Sequence, residues 1–284
     1  MTVVRPVAVA PGVESFPTLT PTLPPATHTN SYALGERDVV LVEPATPFAD
    51  ELAEFAAFAR ALVSQGRRLV ALFATHHHHD HVGGARELAR ELGLPLWAHA
   101  ETARRLHDTP VARTLADGDT LDLDGPTPQR WQVLHTPGHA PGHLCLFERT
   151  SGTLVVGDMV ASVGTILIEP RDGDMRVYLE QLARLEGLDA TVALPAHGAP
   201  IREPGTLLRA YQAHRLMREG WIQQAVDAAG PAGGTLDELV LVAYSDVKPE
   251  VRPIARLSLE AHLIKLEHDG AVTRRGERWV PKSK

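Results

Sequence analysis

The chain has 284 residues, 44% of them hydrophobic and 22% charged, with a formal net charge of −7. Its single cysteine, Cys145, excludes a disulfide framework and a thiolate metal cage, and the acidic balance argues against a general polyanion binder. The length suits one large α/β domain, or a large domain followed by a small one.

The first apolar run is broken by Pro6 and Pro11, which makes a poor secretory signal. No stretch reaches the roughly 20 apolar residues a membrane-spanning helix needs. A cytoplasmic protein without a membrane partner is expected.

In chain order, short strands are predicted at 7–9 and 13–16, then an irregular proline-rich segment to Pro25. Strands at 30–34 and 39–42 flank Gly35-Glu36-Arg37-Asp38 and read as a hairpin. A helix over 48–64 carries Leu52, Phe55, Phe58, Leu62 and Val63 as its apolar stripe. The strand 69–73 follows. Helices are predicted at 86–92, 101–106 and 175–185, and strands at 96–98, 121–123, 131–134, 144–147, 154–156 and 192–194. Two batches of strands with helices attached predict two sheets packed face to face with helices outside.

From about Leu207 the character changes, and basic residues slightly outnumber acidic ones there. A helix over 207–229 ends at Gly230-Pro231. Thr235-Leu236-Asp237-Glu238 is a capping box that opens a second helix toward Tyr244. A third helix, 251–268, stops at Asp269-Gly270, and a hairpin is predicted around Arg274-Arg275-Gly276-Glu277. Three helices and a terminal hairpin outline a winged helix. The expected division is 1–206 for the large domain and 207–284 for the small one.

The chemistry concentrates at Thr75-His76-His77-His78-His79-Asp80-His81-Val82-Gly83-Gly84, directly after the strand 69–73. Read as H-x-H-x-D-H, it supplies His76, His78, Asp80 and His81, and Gly83-Gly84 would let the chain turn sharply into a helix. Imidazole and carboxylate are the donors that zinc and its neighbours take. A histidine-rich tract can also be a solvated loop, but this one sits between an apolar strand and a Gly-Gly turn. Three further single-ligand candidates, His139, Asp158 and His197, each follow a predicted strand. Taken alone, each is an ordinary turn residue; their order after the first motif makes chance improbable.

These motifs resemble the metallo-β-lactamase superfamily, whose fold is an αββα sandwich of two packed mixed sheets with outer helices. The resemblance covers roughly residues 30–200 and fills every ligand position. It implies two divalent metal ions, and histidine and aspartate donors admit zinc first, then manganese or iron. His76, His78 and His139 would hold the first, Asp80, His81 and His197 the second, with Asp158 bridging. Asp80 is also carried as the catalytic residue. The activity implied is hydrolysis by a hydroxide held between the metals. Asp158 at the bridging position argues against antibiotic hydrolysis, and His78 argues against a flavo-diiron oxygen reductase.

Thr75–Gly84, the 136–143 loop, Gly157-Asp158 with Gly164-Thr165, Asp172-Gly173-Asp174-Met175 with Tyr178-Leu179, His197-Gly198 and the winged helix together resemble the β-lactamase-like protein 2 endoribonuclease branch. That branch implies cleavage of single-stranded RNA. The alternative on the same metal centre is a small ester or thioester substrate, as in a glyoxalase II-like or acyl-carrier thioesterase-like enzyme or a lactone hydrolase. A third reading, a non-enzymatic regulator, would need lost ligands, and none is lost. A homodimer is compatible with either enzyme.

The family usually has an Asp-x-Gly turn after the second strand, whose aspartate supports a metal-bound histidine. Here the strand ends in Val42-Glu43-Pro44, and Glu43 is the candidate for that task. His77 and His79 are read as rim or packing residues, His135 and His143 as supporting ones, and Cys145 as a buried thiol. Ser162, Gly164 and Thr165 could line the cleft. Lys265, Arg274, Arg275 and Arg278 are candidates for phosphate contacts, against the blander reading of a solvated face.

Overall fold

The computed structural model describes residues 4–282, which fall into two compact units. The first holds most of the chain before Gly205. The second is built mainly from Leu167–Gly187 and the chain from Thr206 onward.

The first unit contains strands β1 (Val7–Ala10), β2 (Val13–Leu19), β3 (His28–Leu34) and β4 (Asp38–Val42), then helix α1 (Ala49–Ser64) and β5 (Arg68–Phe73). Next come α2 (His79–Val82), α3 (Ala85–Leu92), β6 (Leu96–His99), α4 (Ala100–Arg105) and β7 (Val111–Leu115). Strands β8 (Thr120–Leu123), β9 (Gln129–His135), β10 (Leu144–Glu148), β11 (Thr153–Gly157) and β12 (Val192–Pro195) complete it. Strands β1 to β7 form one sheet in sequence order, and β12-β11-β10-β9-β8 form the other. Both are mixed: β4 to β7 run parallel and β11 pairs parallel with β12, while the remaining pairs are antiparallel.

Period-two alternation explains the layering. In β4, Val40 and Val42 join Tyr32, Leu34, Phe73, Trp131, Leu144, Leu146, Val155 and Leu194 between the sheets. Val39 and Leu41 face the other way, onto Phe55, Phe58 and Leu62 of α1 and Leu88 of α3. Burying each such side chain contributes about 1.5–3 kcal/mol. The one polar atom Trp131 brings into that core, Nε1–H, donates to Gln129 Oε1 at 3.0 Å.

Local details depart from the sequence reading. Val63, expected on the apolar stripe of α1, is 52% exposed, because the buried face runs through Phe55, Phe58, Ala59 and Leu62 and has turned away by the next residue. Strand β2 continues through Pro17 to Leu19 instead of stopping at Phe16. Pairing with β1 involves Val13, Glu14 and Ser15 only, so the missing Pro17 N–H breaks no ladder bond on that side. Strand β7 was not anticipated: its Ala112-Arg113-Thr114 are exposed at a sheet edge and carry no apolar alternation.

The second unit contains α5 (Met175–Glu186), α6 (Pro204–Ala229), α7 (Leu236–Ala243), α8 (Arg252–His268) and a small sheet of β13 (Gly234–Thr235), β14 (Val272–Arg275) and β15 (Arg278–Pro281), ordered β13-β15-β14. Its core gathers Ile222, Val226, Leu239, Leu259, Leu263, Leu266, Val272 and Trp279. The capping box at the start of α7 is formed, with Glu238 N–H donating to Thr235 Oγ1 and Thr235 N–H donating to Glu238 Oε2 at 2.9 Å. No helix among the described residues is long and apolar enough to cross a membrane.

Candidate metal centre

The candidate side chains of the first unit all emerge where strands end. Strand β4 ends in Glu43, β5 leads into His76, His78, Asp80 and His81, β11 leads into Asp158 and β12 into His197. The carboxyl ends of parallel strands splay apart and leave backbone free to turn, which is why open α/β sheets place ligand sites there.

Two groups of donor atoms lie within the first unit: Glu43, His76 and His81 form the first cluster and Asp80, His81 and His197 the second, the atoms of each lying within 4.8 Å of one another, while His139 belongs to the second unit. Asp158 stands beside the second cluster, with Oδ2 at 3.5 Å from His81 Nε2 and Oδ1 at 3.4 Å from His197 Nε2. The Asp80 oxygens lie 3.8 Å from His81 Nε2 and 3.6 Å from His197 Nε2.

Hydrogen-bond acceptors fix which ring nitrogens are free to donate a lone pair. His197 Nδ1 is 3.0 Å from the carbonyl of His28, and His139 Nδ1 is 2.9 Å from that of Leu167. A carbonyl can only accept, so both rings carry hydrogen on Nδ1 and present a lone pair at Nε2. His81 donates Nδ1–H to Glu43 Oε1 at 3.0 Å, and His76 Nδ1 faces the Thr75 hydroxyl at 2.9 Å. His78 differs, presenting Nδ1, which lies 2.9 Å from His76 Nε2.

This donor set fits divalent cations. Ligand bonds of 2.0–2.1 Å in a tetrahedron put neighbouring donor atoms about 3.3 Å apart, close to the 3.4–3.8 Å spacings around His81 and His197. His81 Nε2 is buried and makes no hydrogen bond, although carboxylate oxygens surround it. The electrostatics call for positive charge. Burial opposes protonation of His81, yet Asp158, Asp80 and Glu43 outweigh it and hold the imidazole well above its usual range. Burial likewise works against the Asp158 carboxylate, but His81 and His197 hold it well below the usual carboxylate range. His197 is also raised, burial being outweighed mainly by Asp158.

Supporting residues come from several strands. His143, fully buried, accepts the Asp158 backbone N–H at Nε2 (3.1 Å) and meets the Thr136 hydroxyl at Nδ1 (2.8 Å), so it orients the turn carrying Asp158. The His197 turn is tied to β3: Asn30 Nδ2 donates to the carbonyls of Pro195 and Gly198, and the Tyr32 hydroxyl donates to Pro195 O at 2.7 Å. His135 donates to Pro141 O and stacks on His99 at 4.0 Å. His77 is half-buried, His79 exposed and Cys145 buried. The Ser162 hydroxyl donates to Ala199 O.

Glu43 is almost fully buried, and its backbone sits at φ +58°, a left-handed conformation that costs a non-glycine residue about 1–3 kcal/mol. Its N–H donates to Phe73 O, and its carbonyl accepts from the Ser31 hydroxyl, which together hold that geometry. Gly83 and Gly84 serve a different purpose from the sharp turn expected of them. Both have negative φ, but a Cβ on Gly83 would lie 2.9 Å from Ala45 O and one on Gly84 2.4 Å from Thr46 O. They are needed because the backbone following Glu43 passes against them.

The sequence reading singled out Glu43 but missed Thr75, Asn30 and Tyr32 as supporting groups. Thr75 could have been noticed as the residue directly before the motif. Asn30 and Tyr32 are more than 160 positions from their partners, and no local pattern announces them.

A family model described as the metallo-beta-lactamase superfamily matches residues 24–197, and one described as a beta-lactamase associated winged helix domain matches 235–279. A beta-lactamase-like protein 2 homolog of Drosophila melanogaster is 27% identical, the match covering 70% of this chain and 68% of the relative. An atrochrysone carboxyl ACP thioesterase of Emericella nidulans is also 27% identical, over 71% of this chain and 62% of the relative. A solved metallo-beta-lactamase family protein from Thermus thermophilus superposes with a TM-score of 0.76 at 26% identity, covering 95% of this chain and 99% of that one. The two mixed sheets, the cluster of metal-capable histidines and carboxylates, and the family match over most of the first unit agree: the chain belongs to the metallo-beta-lactamase superfamily, as a hydrolase of that fold carrying a C-terminal winged helix.

Proposed function

We propose that the chain is a dinuclear metal-dependent hydrolase in which His76, His78 and His139 would hold one divalent ion and Asp80, His81 and His197 the other, with Asp158 serving both. The observation that carries this reading is the ring of donor atoms at ligand-edge spacing around His81 Nε2 and His197 Nε2. Nitrogen and oxygen donors without thiolate favour Zn2+, and accept Mn2+ or Fe2+. Bound in such a site, two cations supply Lewis acidity and acidify water near neutral pH.

The protein's own groups do the rest. The acceptors on Nδ1 of His81, His139 and His197 keep those rings in the tautomer whose Nε2 is a donor. Asp80, partly exposed where Asp158 is buried, would orient the attacking water and take its proton at a carboxylate oxygen. His143 holds the Asp158 turn in register.

For the substrate, the first reading is a phosphodiester of single-stranded RNA. It rests on the resemblance of residues 75–84, 136–143, 157–158 with 164–165, 172–175, 178–179 and 197–198 and of the winged helix, and a two-metal centre suits in-line attack on phosphorus. The second reading is a thioester. It is favoured by the state of three of the four winged-helix cations named above, which are already engaged. Lys265 pairs with Glu219 and Asp269, Arg278 pairs with Glu238 and donates to the carbonyls of Ala232 and Gly233, and Arg274 lies over the Trp279 ring. The similarity to a protein named as an acyl-carrier thioesterase points the same way. Pure protein loaded with Zn2+ or Mn2+ should cut labelled single-stranded RNA, and chelator should abolish the cutting. If RNA stays intact while acyl-CoA or S-lactoylglutathione is hydrolysed, the RNA reading fails and the thioester reading stands. Inertness toward the whole panel with both metals bound would reject hydrolysis of either class.

A further inference from the structure

We infer that Glu43 and Thr75 form one positioning unit that serves both halves of the metal centre. The inference rests on the dinuclear reading above and adds how the two halves are coupled. The Thr75 hydroxyl is 2.5 Å from Glu43 Oε1 and 2.9 Å from His76 Nδ1. A hydroxyl has one hydrogen to give. It donates that hydrogen to the carboxylate, which can only accept, and its lone pair then takes Nδ1–H of His76. The same oxygen, Glu43 Oε1, accepts Nδ1–H of His81 at 3.0 Å, and Oε2 accepts the Thr75 backbone N–H at 3.3 Å. A single carboxylate therefore sets the ring orientation and tautomer of one histidine proposed for each ion, His81 directly and His76 through Thr75, and Glu43, His76 and His81 bring their donor atoms within 4.8 Å of one another.

The local structure is built to keep it there. Glu43 is held at positive φ by bonds to Phe73 O and from Ser31, and the chain after it is pressed against Gly83 and Gly84 of the ligand loop. An aspartate on the same backbone would stop one methylene short, about 1.5 Å. The side-chain length and the strained turn are matched.

The test is metal binding, independent of any substrate. Metal-free protein is titrated with Co2+ or Zn2+ against a chromophoric chelator, with folding checked by circular dichroism. Wild type should take two equivalents; fewer would sink the dinuclear reading and this coupling with it. Glu43→Gln, whose amide accepts weakly and turns a donor toward the Thr75 N–H, should weaken both equivalents by about 10–100-fold. Thr75→Val, which leaves the Glu43–His81 bond in place, should weaken one equivalent about 10-fold, and Thr75→Ser should restore it. With two equivalents bound by wild type, a Glu43→Gln protein that loses affinity at one equivalent or at neither overturns the coupling. Should Glu43→Gln fail to fold, Thr75→Val decides alone. Unchanged binding, or a loss that Thr75→Ser does not restore, removes the hydroxyl link.

Discussion

Replacing Gly157 by alanine tests how tightly the Asp158 turn is built. Gly157 has φ +51°, and a Cβ there would lie 2.5 Å from His143 Nε2 and 3.3 Å from Thr75 Cβ. The left-handed backbone costs an L-residue about 1–2 kcal/mol. Displacing a neighbour in a packed interior costs about 1–3 kcal/mol more. His143 cannot swing aside freely, because it is fully buried and bonded to the Thr136 hydroxyl and the Asp158 N–H. The two costs together come to about 2–5 kcal/mol. Gly66→Ala is the matched control: φ is +86° and nothing lies within 4 Å of the added carbon, so only the backbone cost applies. Urea unfolding followed by circular dichroism should show Gly157→Ala less stable than Gly66→Ala by about 1–3 kcal/mol, and metal retention should fall in the first variant alone. Equal stabilities would refute the reasoning, since they would mean that His143 yields without cost.

Other consequences are open to direct measurement. Thr235→Ala removes the side-chain half of the capping box on α7, the Oγ1 that accepts the Glu238 N–H, and should cost about 0.5–2 kcal/mol, read as a lowered unfolding midpoint; an unchanged midpoint would show that this bond contributes nothing. Chelator should lower the thermal midpoint of the metal-loaded protein, because ions that bind only the folded state stabilise it by mass action, and added Zn2+ should restore it. The metal-free protein should lose stability as pH rises. His81 and His197 are raised in the folded state, so their contribution is complete below the unfolded value of about 6.5 and disappears as pH climbs through the raised folded values. Metal binding should show the opposite trend, strengthening with pH as protons leave the imidazoles. A metal-free protein equally stable at pH 6 and pH 9 would contradict the charge arrangement around Asp158.

Much of this protein is written in local pattern. The alternation in Val39-Val40-Leu41-Val42, the helical stripe through Phe55, Phe58 and Leu62, and the Thr235–Glu238 box each concern neighbours a few residues apart, where period and propensity act directly. The H-x-H-x-D-H motif is legible for the same reason, being one short stretch that runs from the end of a strand into a one-turn helix. Val63 was misread because a stripe drawn from sequence has no edge until a partner surface defines one. Strand β7 was invisible because its three central residues are exposed and its pairing with β6 is made of backbone hydrogen bonds, which any side chain permits. What the tertiary structure alone decided is the orientation of each ring. His197 is steered by the His28 carbonyl, the Asp158 turn by His143, and His81 together with His76 by Glu43 through Thr75. Composition and order supply the donors, but the nitrogen each histidine presents depends on an acceptor brought beside it by strand pairing, and chain distance carries no information about that.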